Sequence, residues 1–382
     1  MTARASRGHV AALMVAHCAG MIDLVALPVW VGALVQHQQL DPQQAGMLVS
    51  LFLIGAVVAS VGLAPRLQRL RPRTVAAPAY ALAAAAFGLM ASVLTMPAMV
   101  IGHAIAGLGV GAGLSITHGT IARSERPHRL FALVGIALGV FAVVFLGGSA
   151  QLVARLGTAS LFTAFAVVMA LAALACGLGF PTAAGESQER RAAPASRLSS
   201  TVWLGIAGIC AMSLAQAMTF SFAERVGQHR GFGLDAITGV LIALGLVNLT
   251  PAALAALLER RLPARQVVRI GPVVQALVGF TVMTASGFAP WAVAMCLFSA
   301  VMIFTHTFAF GMLAGLDPSG RALAATPAML MTGSALGPVI GGTLVKFHGY
   351  EAVGLAMLVV GGVAAICLHL AGRTPIATRS LA

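Results

Sequence analysis

Asp23 is the residue of this chain with the most chemistry to offer, because it sits near the middle of a long apolar stretch. An ionisable group inside a bilayer costs roughly 2.5–3.5 kcal/mol on insertion scales, so it faces a cavity or a partner. A carboxylate that is costly to keep charged can take up and release a proton, which is the chemistry of ion-coupled transport. The other ionisable residues in apolar surroundings make a short set. His17 lies one and a half turns before Asp23. His103 and His118 share one later stretch, Glu224 and Arg225 end another, and His306 is central in a third.

Each candidate also has a structural reading. His306 follows Ser299 and Met302 and precedes Phe310, at spacings that make a polar and aromatic stripe on one helix face. It titrates near neutrality or donates to a substrate; a satisfied core histidine fits equally well. His103 shares a face with Gly107 and Gly111, where bare backbone permits close helix contact. It relays a proton or caps a tightly packed helix pair. Glu224 ends a stripe through Ser213, Gln216, Ala217 and Phe220. Its neighbours Arg225, Gln228, His229 and Arg230 favour a solvated, salt-bridged mouth. Asn248, Gln275 and Gln151 suit hydrogen bonds between helices. The five cysteines fall in apolar stretches without a CxxC pair. We find no metal-ligand spacing, phosphate-binding glycine loop or nucleophile triad, so no cofactor and no enzymatic activity are expected. The driving energy must be an ion gradient or the substrate's own gradient.

The elements that hold these residues follow from composition. Hydrophobic residues make up 59% of the 382 and charged residues only 9%, against about 25% charged in a soluble domain. At about 20 residues per crossing, twelve spans fit: 9–35, 43–64, 75–94, 97–121, 130–153, 157–180, 200–225, 236–258, 270–288, 291–314, 322–345 and 351–371. The predicted class is an all-α polytopic membrane protein. The first stretch is too long for a cleaved leader and is read as an uncleaved span.

The charge pattern orients the chain. Nineteen of the 23 Lys and Arg residues fall in alternate loops, among them 62–74, 122–129, 181–199 and 258–269. The other side holds Arg155, Arg225, Arg230 and Lys346. Basic loops stay in the cytoplasm, which puts both termini there and the protein in the cell's inner membrane. The net charge of +13 therefore signals orientation and contact with anionic lipid rather than nucleic acid. Trp203 opens span seven at the inner face, while Trp291 and Tyr350 mark the outer interface.

The one long polar stretch, 181–199, lies at the midpoint and reads as a cytoplasmic linker between a half at 1–180 and a half at 200–382. The halves echo each other. Gly135, Gly139 and Gly147-Gly148 in span five answer Gly333, Gly337-Pro338 and Gly341-Gly342 in span eleven. Arg66, Arg69, Arg71 and Arg73 answer Arg260, Arg261, Arg265 and Arg269. Repeated halves place a binding site near the midplane.

Three segments carry a resemblance to the major facilitator superfamily over essentially the whole chain. Gly333-Ser-Ala-Leu-Gly337-Pro338-Val-Ile-Gly341-Gly342 is similar to the family's Gly-x-x-x-Gly-Pro-x-x-Gly-Gly pattern of antiporters, found here in span eleven. His103-Ala-Ile-Ala-Gly107-Leu-Gly109-Val-Gly111 resembles Arg-x-x-x-Gly-x-Gly-x-Gly with His for Arg. Gly62-Leu-Ala-Pro-Arg66-Leu-Gln-Arg69-Leu-Arg71-Pro-Arg73 stands where the family keeps Gly-x-x-x-Asp-Arg-x-Gly-Arg-Arg, without the Asp. Asp23 followed by Ala26-Leu27-Pro28 resembles span one of multidrug exporters.

The resemblance implies twelve spans in two pseudo-symmetric six-helix halves and a cavity lined by spans one, four, seven and ten. That gathers Asp23, His103, Gln216, Glu224 and His306 at one site. It also implies gating or structural roles for Arg66, Arg73, Gly107, Gly111, Gly337, Pro338 and Gly341. The expected protein is a monomeric, proton-coupled exporter of a small molecule. A proton symporter importing a metabolite is the alternative. A transporter-like receptor that moves nothing comes third.

Overall fold

The computed structural model describes residues 7–63, 70–124, 127–180, 198–259, 261–317, 322 and 326–373. The described secondary structure is entirely helical, as composition requires: no water in the bilayer satisfies open backbone groups, so a spanning segment must satisfy its own. Among the described residues eleven helices or helix pairs are long and apolar enough to cross a membrane. Large apolar side chains stand open on many of them, including Val144, Leu178, Leu257 and Val359. Such exposure is unfavourable in water and neutral against lipid.

The chain forms two compact units, residues 1–190 and 191–382. In the first, α1 (Arg7–Gly20) and α2 (Ile22–Gln36) together make span one. They are followed by α3 (Pro42–Leu63), α4 (Pro72–Ser92), α5 (Met96–Ala122), α6 (Pro127–Leu156) and α7 (Thr158–Gly179). In the second, α8 (Ser200–Phe220) and α9 (Ala223–His229) make span seven. Then come α10 (Leu234–Val247), α11 (Pro251–Leu258), α12 (Ala264–Thr284), α13 (Phe288–Leu316), α14 (Thr326–His348) and α15 (Tyr350–Arg373). Internal pairing repeats between the units. The third span packs on the fourth and sixth (α4 on α5 and α7; α12 on α13 and α15), and the first packs on the fifth and sixth.

Three expected spans differ from a single rod. Span one breaks at Met21, whose backbone (φ −106°, ψ 22°) leaves the helix. Span seven breaks at Ser221-Phe222 in the same way (Phe222 φ −112°, ψ 4°). Span eight, expected over 236–258, is split into α10 and α11. Pro251 has no N–H to continue the ladder and crowds the residue before it. Thr250 turns its hydroxyl back to the Val247 carbonyl at 2.8 Å. At 14 residues, α10 alone is about 21 Å long, short of the bilayer core.

Small residues set the helix spacing. A Cβ on Gly107 would overlap the Phe52 carbonyl and one on Gly111 the Ala56 backbone, so these two press α5 onto α3. Gly109 and Gly113 turn the other way, to α4. In the second unit Gly333, Gly337 and Gly341 seat α14 on α8; a Cβ on Gly337 would lie 2.6 Å from the Met218 nitrogen. Without a hydrophobic drive between helices in lipid, such close backbone contact is what holds them together.

Candidate functional site

Asp23 is the second residue of α2, immediately past the break in span one. It is 8% exposed, and its Oδ1 is buried without a hydrogen-bond partner. Pro28, one turn further on, lacks the N–H that would serve the Leu24 carbonyl. The carboxyl thus lies buried in the first turn of a half-helix.

His103 lies in the core of the first unit. It is wholly buried, and Nδ1 donates to the Met99 carbonyl at 2.7 Å, leaving Nε2 buried without a partner. Its ring stacks on Trp30 at 5.4 Å and meets Phe162 edge-on. Trp30 in turn meets Phe52, Phe87 and Phe165. Asp23 and Trp30 are seven residues apart on α2 and so share a face, about 10 Å apart along the axis. Trp30 thus packs α2, the helix that carries Asp23, against His103 on α5. A second contact, not expected from the sequence, joins spans one and four: His17 Nδ1 lies 3.0 Å from His118 Nε2, with ring centroids 5.1 Å apart.

In the second unit, Gln216 on α8 donates to Ser299 Oγ on α13 at 2.7 Å. Gln275 on α12 donates to Gln216 Oε1 at 3.3 Å and to the Met212 carbonyl at 3.2 Å. Gln275 thus bridges helices as its type suggested, and it also completes a three-helix polar network. His306 is two turns beyond Ser299 on the same face, stacked on Phe310 at 5.6 Å, with Nε2 buried and unpartnered. Ser299, Gln216 and His306 form one polar strip.

Glu224 departs from expectation. The sequence favoured a solvated, salt-bridged mouth, but the residue is 5% exposed. The break at Ser221-Phe222 re-aims the chain so that Phe222, Ala223, Val226 and Gly227 are buried and carry Glu224 inward with them. Its Oε1 accepts from Gln228 at 2.9 Å and its Oε2 has no partner. Arg225 donates to Gln228 at 2.8 Å. The ion pair at this end belongs to Arg230 and Glu351, at 3.7 Å. Arg230 also donates to the Met283 carbonyl. Burial lowers the Arg230 pKa and Glu351 opposes that shift. Trp291, expected at an interface, is wholly buried beside Phe232 and Phe288.

Arg66 lies outside the described residues, as does most of the 181–199 stretch. Arg73 is half-buried in the first turn of α4. Pro338 lies inside α14 and leaves the Ser334 carbonyl without its usual donor. Among the described residues, no group of three or more His, Cys, Asp or Glu side chains is placed to hold a metal ion.

Two units, with six and five apolar crossings among the described residues, share the same internal pairing and carry buried polar groups on broken helices, as a membrane transporter does. A family model, the Major Facilitator Superfamily, matches residues 12–319, and the chain belongs to that family. The match stops short of Gly333–Gly342. Among solved structures the chain is similar to a D-xylose-proton symporter, at 17% identity over 98% of this chain and 99% of that one, TM-score 0.74. It is similar to the nucleoside transporter NupG at 15% identity, covering 96% and 99%, TM-score 0.71. It also resembles a bacterial homologue of the human lysosomal transporter Spinster, in an inward-facing, occupied conformation, at 12% identity over 96% of each chain, TM-score 0.75. No curated protein matches the chain in sequence.

Proposed function

We propose that this protein is a proton-coupled secondary transporter that exports a small molecule by alternating access, with Asp23 as its coupling carboxylate. The observation that carries the reading is the buried, unpartnered Oδ1 of Asp23 at the break in span one. A group there exchanges a proton only when its surroundings open, which is what coupling requires. The strip of Gln216, Ser299 and His306 offers hydrogen bonds to a polar substrate. No Lys or Arg falls in the middle of the spans carrying these residues, which disfavours a dianion. Rocking of 1–180 against 200–382 about the 181–199 linker supplies alternating access, and Arg66 and Arg73 serve an inner gate. The family and the transporter fold favour transport over an enzymatic activity. We place the protein in the inner membrane with both termini in the cytoplasm, on the asymmetry of its basic loops, and read it as a monomer.

The same fold carries a protein named as a proton symporter, so import is the competing direction. A screen of small solutes in pyranine-loaded vesicles under an imposed pH gradient decides between them. Solute and proton moving in opposite directions supports export; movement together supports import. Asp23→Asn keeps size and hydrogen bonding but removes titration. It should abolish gradient-driven accumulation while leaving downhill exchange, and Asp23→Glu should retain part of the coupling. Gradient-driven accumulation by Asp23→Asn would make Asp23 structural.

A further inference from the structure

Span one carries a second group able to move a proton, and it is the His17–His118 contact. His17 on α1 is 7% exposed, whereas His118 on α5 keeps more of its surface open. The two rings are in hydrogen-bond contact at 3.0 Å through His17 Nδ1 and His118 Nε2. Both rings are largely enclosed, and His118 is the one with more surface exposed. His17 is six residues before Asp23, about 9 Å along the axis, with the helix interrupted at Met21 between them. The Met21 nitrogen donates to the His17 carbonyl at 3.0 Å, so the break and the histidine belong to one turn.

We propose that His17 and His118 form an imidazole relay that carries protons to and from Asp23. It rests on the reading of Asp23 as the coupling carboxylate. A proton joins His118 Nδ1 while the proton on His118 Nε2 crosses to His17 Nδ1. The proton on His17 Nε2 leaves toward Asp23 through intervening water, since about 9 Å is too far for direct transfer. One proton enters and one leaves, both rings end as the other tautomer, and ring rotation resets them. Release from Asp23 runs the same steps backwards.

The surroundings suit transfer rather than charge storage. Among the described residues of the first unit the acids are Asp23 and Asp41, and Asp41 lies in the loop before α3. Tyr80, on the α4 face packed here, is committed to the Ala16 carbonyl at 2.6 Å. Cys18 and Cys176 are thiols without a disulfide. Arg123 and Arg129 stand beyond the inner end of α5. Phe131 closes one side of His118 at 5.7 Å. Among the described residues neither imidazole is paired with a carboxylate, so a proton that arrives moves on.

The test follows Asp23 itself, which removes the need for a known substrate. The full chain in lipid vesicles is taken through a rapid pH drop while the protonated-carboxyl infrared band is recorded; the Asp23 band is the one lost in Asp23→Asn. In His17→Gln and in His118→Gln the band should reach its wild-type amplitude about tenfold more slowly or worse, and added imidazole should restore the rate. Full amplitude shows that the variant is folded. An unchanged rate, or a slow rate that imidazole does not restore, overturns the relay and leaves the Asp23 reading intact. If no wild-type band is lost in Asp23→Asn, the Asp23 reading fails and the relay falls with it.

Discussion

Trp30 is buried among Phe52, Phe87, Phe165 and His103, and truncating it should empty the centre of the first unit. Removal of such a side chain costs about 3–5 kcal/mol in a packed interior. Trp30→Ala should therefore lower the thermal midpoint in detergent. It should also lower coupling, because it separates α2, which carries Asp23, from α5. His103→Gln tests the other partner. It keeps a donor for the Met99 carbonyl, so a purely structural His103 predicts a small stability loss and unchanged proton coupling. Loss of coupling at unchanged thermal midpoint would assign the unpartnered Nε2 a role in proton movement.

At the scale of elements, the glycine motif makes a matched test. Gly107→Ala places a methyl group on the Phe52 carbonyl and should force α5 from α3, at about 1–3 kcal/mol. Gly135, in the span-five series of similar spacing, has nothing within 4 Å of the position a Cβ would take. Gly135→Ala should leave the thermal midpoint unchanged. Equal effects from the two substitutions would mean that α3 and α5 tolerate more separation than their packing shows. The broken helices make a second point at this scale. An apolar run of 29 residues such as 8–36 satisfies the length test for a span whether or not its ladder is continuous. The interruption at Met21 depends on what packs around it: a Cβ on Gly20 would meet Leu114 and the Tyr80 hydroxyl.

For the whole molecule, orientation is the property to measure. Nineteen of the 23 cationic residues fall on one side of the proposed topology, a bias that fixes the direction of insertion. In a chain whose five native cysteines are replaced, an impermeant maleimide applied outside intact cells should label His229→Cys, at the exposed end of α9. It should miss Arg190→Cys in the midpoint loop. The reverse pattern would invert the topology and with it the sense of every transport direction proposed above. Replacing Arg66 and Arg73 together should slow transport more than it reduces insertion, since the remaining basic loops still orient the chain.

The sequence by itself determined the all-helical membrane class and the family, together with positions for eleven of the twelve spans. Those depend on summed hydropathy, charge bias and motif spacing, and each of these adds up along the chain without reference to what folds against what. It also singled out Asp23 as a candidate, because a lone acid in an apolar run is costly wherever its neighbours lie. What only the tertiary structure decided depends on contact between segments far apart in the chain. The His17–His118 pair spans 101 residues, and the Gln216–Ser299–Gln275 network joins three helices. Glu224 looked solvated beside Arg225 and Arg230, yet the turn at Ser221-Phe222 takes it into the interior. Linear spacing reports which face of a helix a side chain occupies; it carries no record of which helix covers that face, or of where tight packing makes a helix stop.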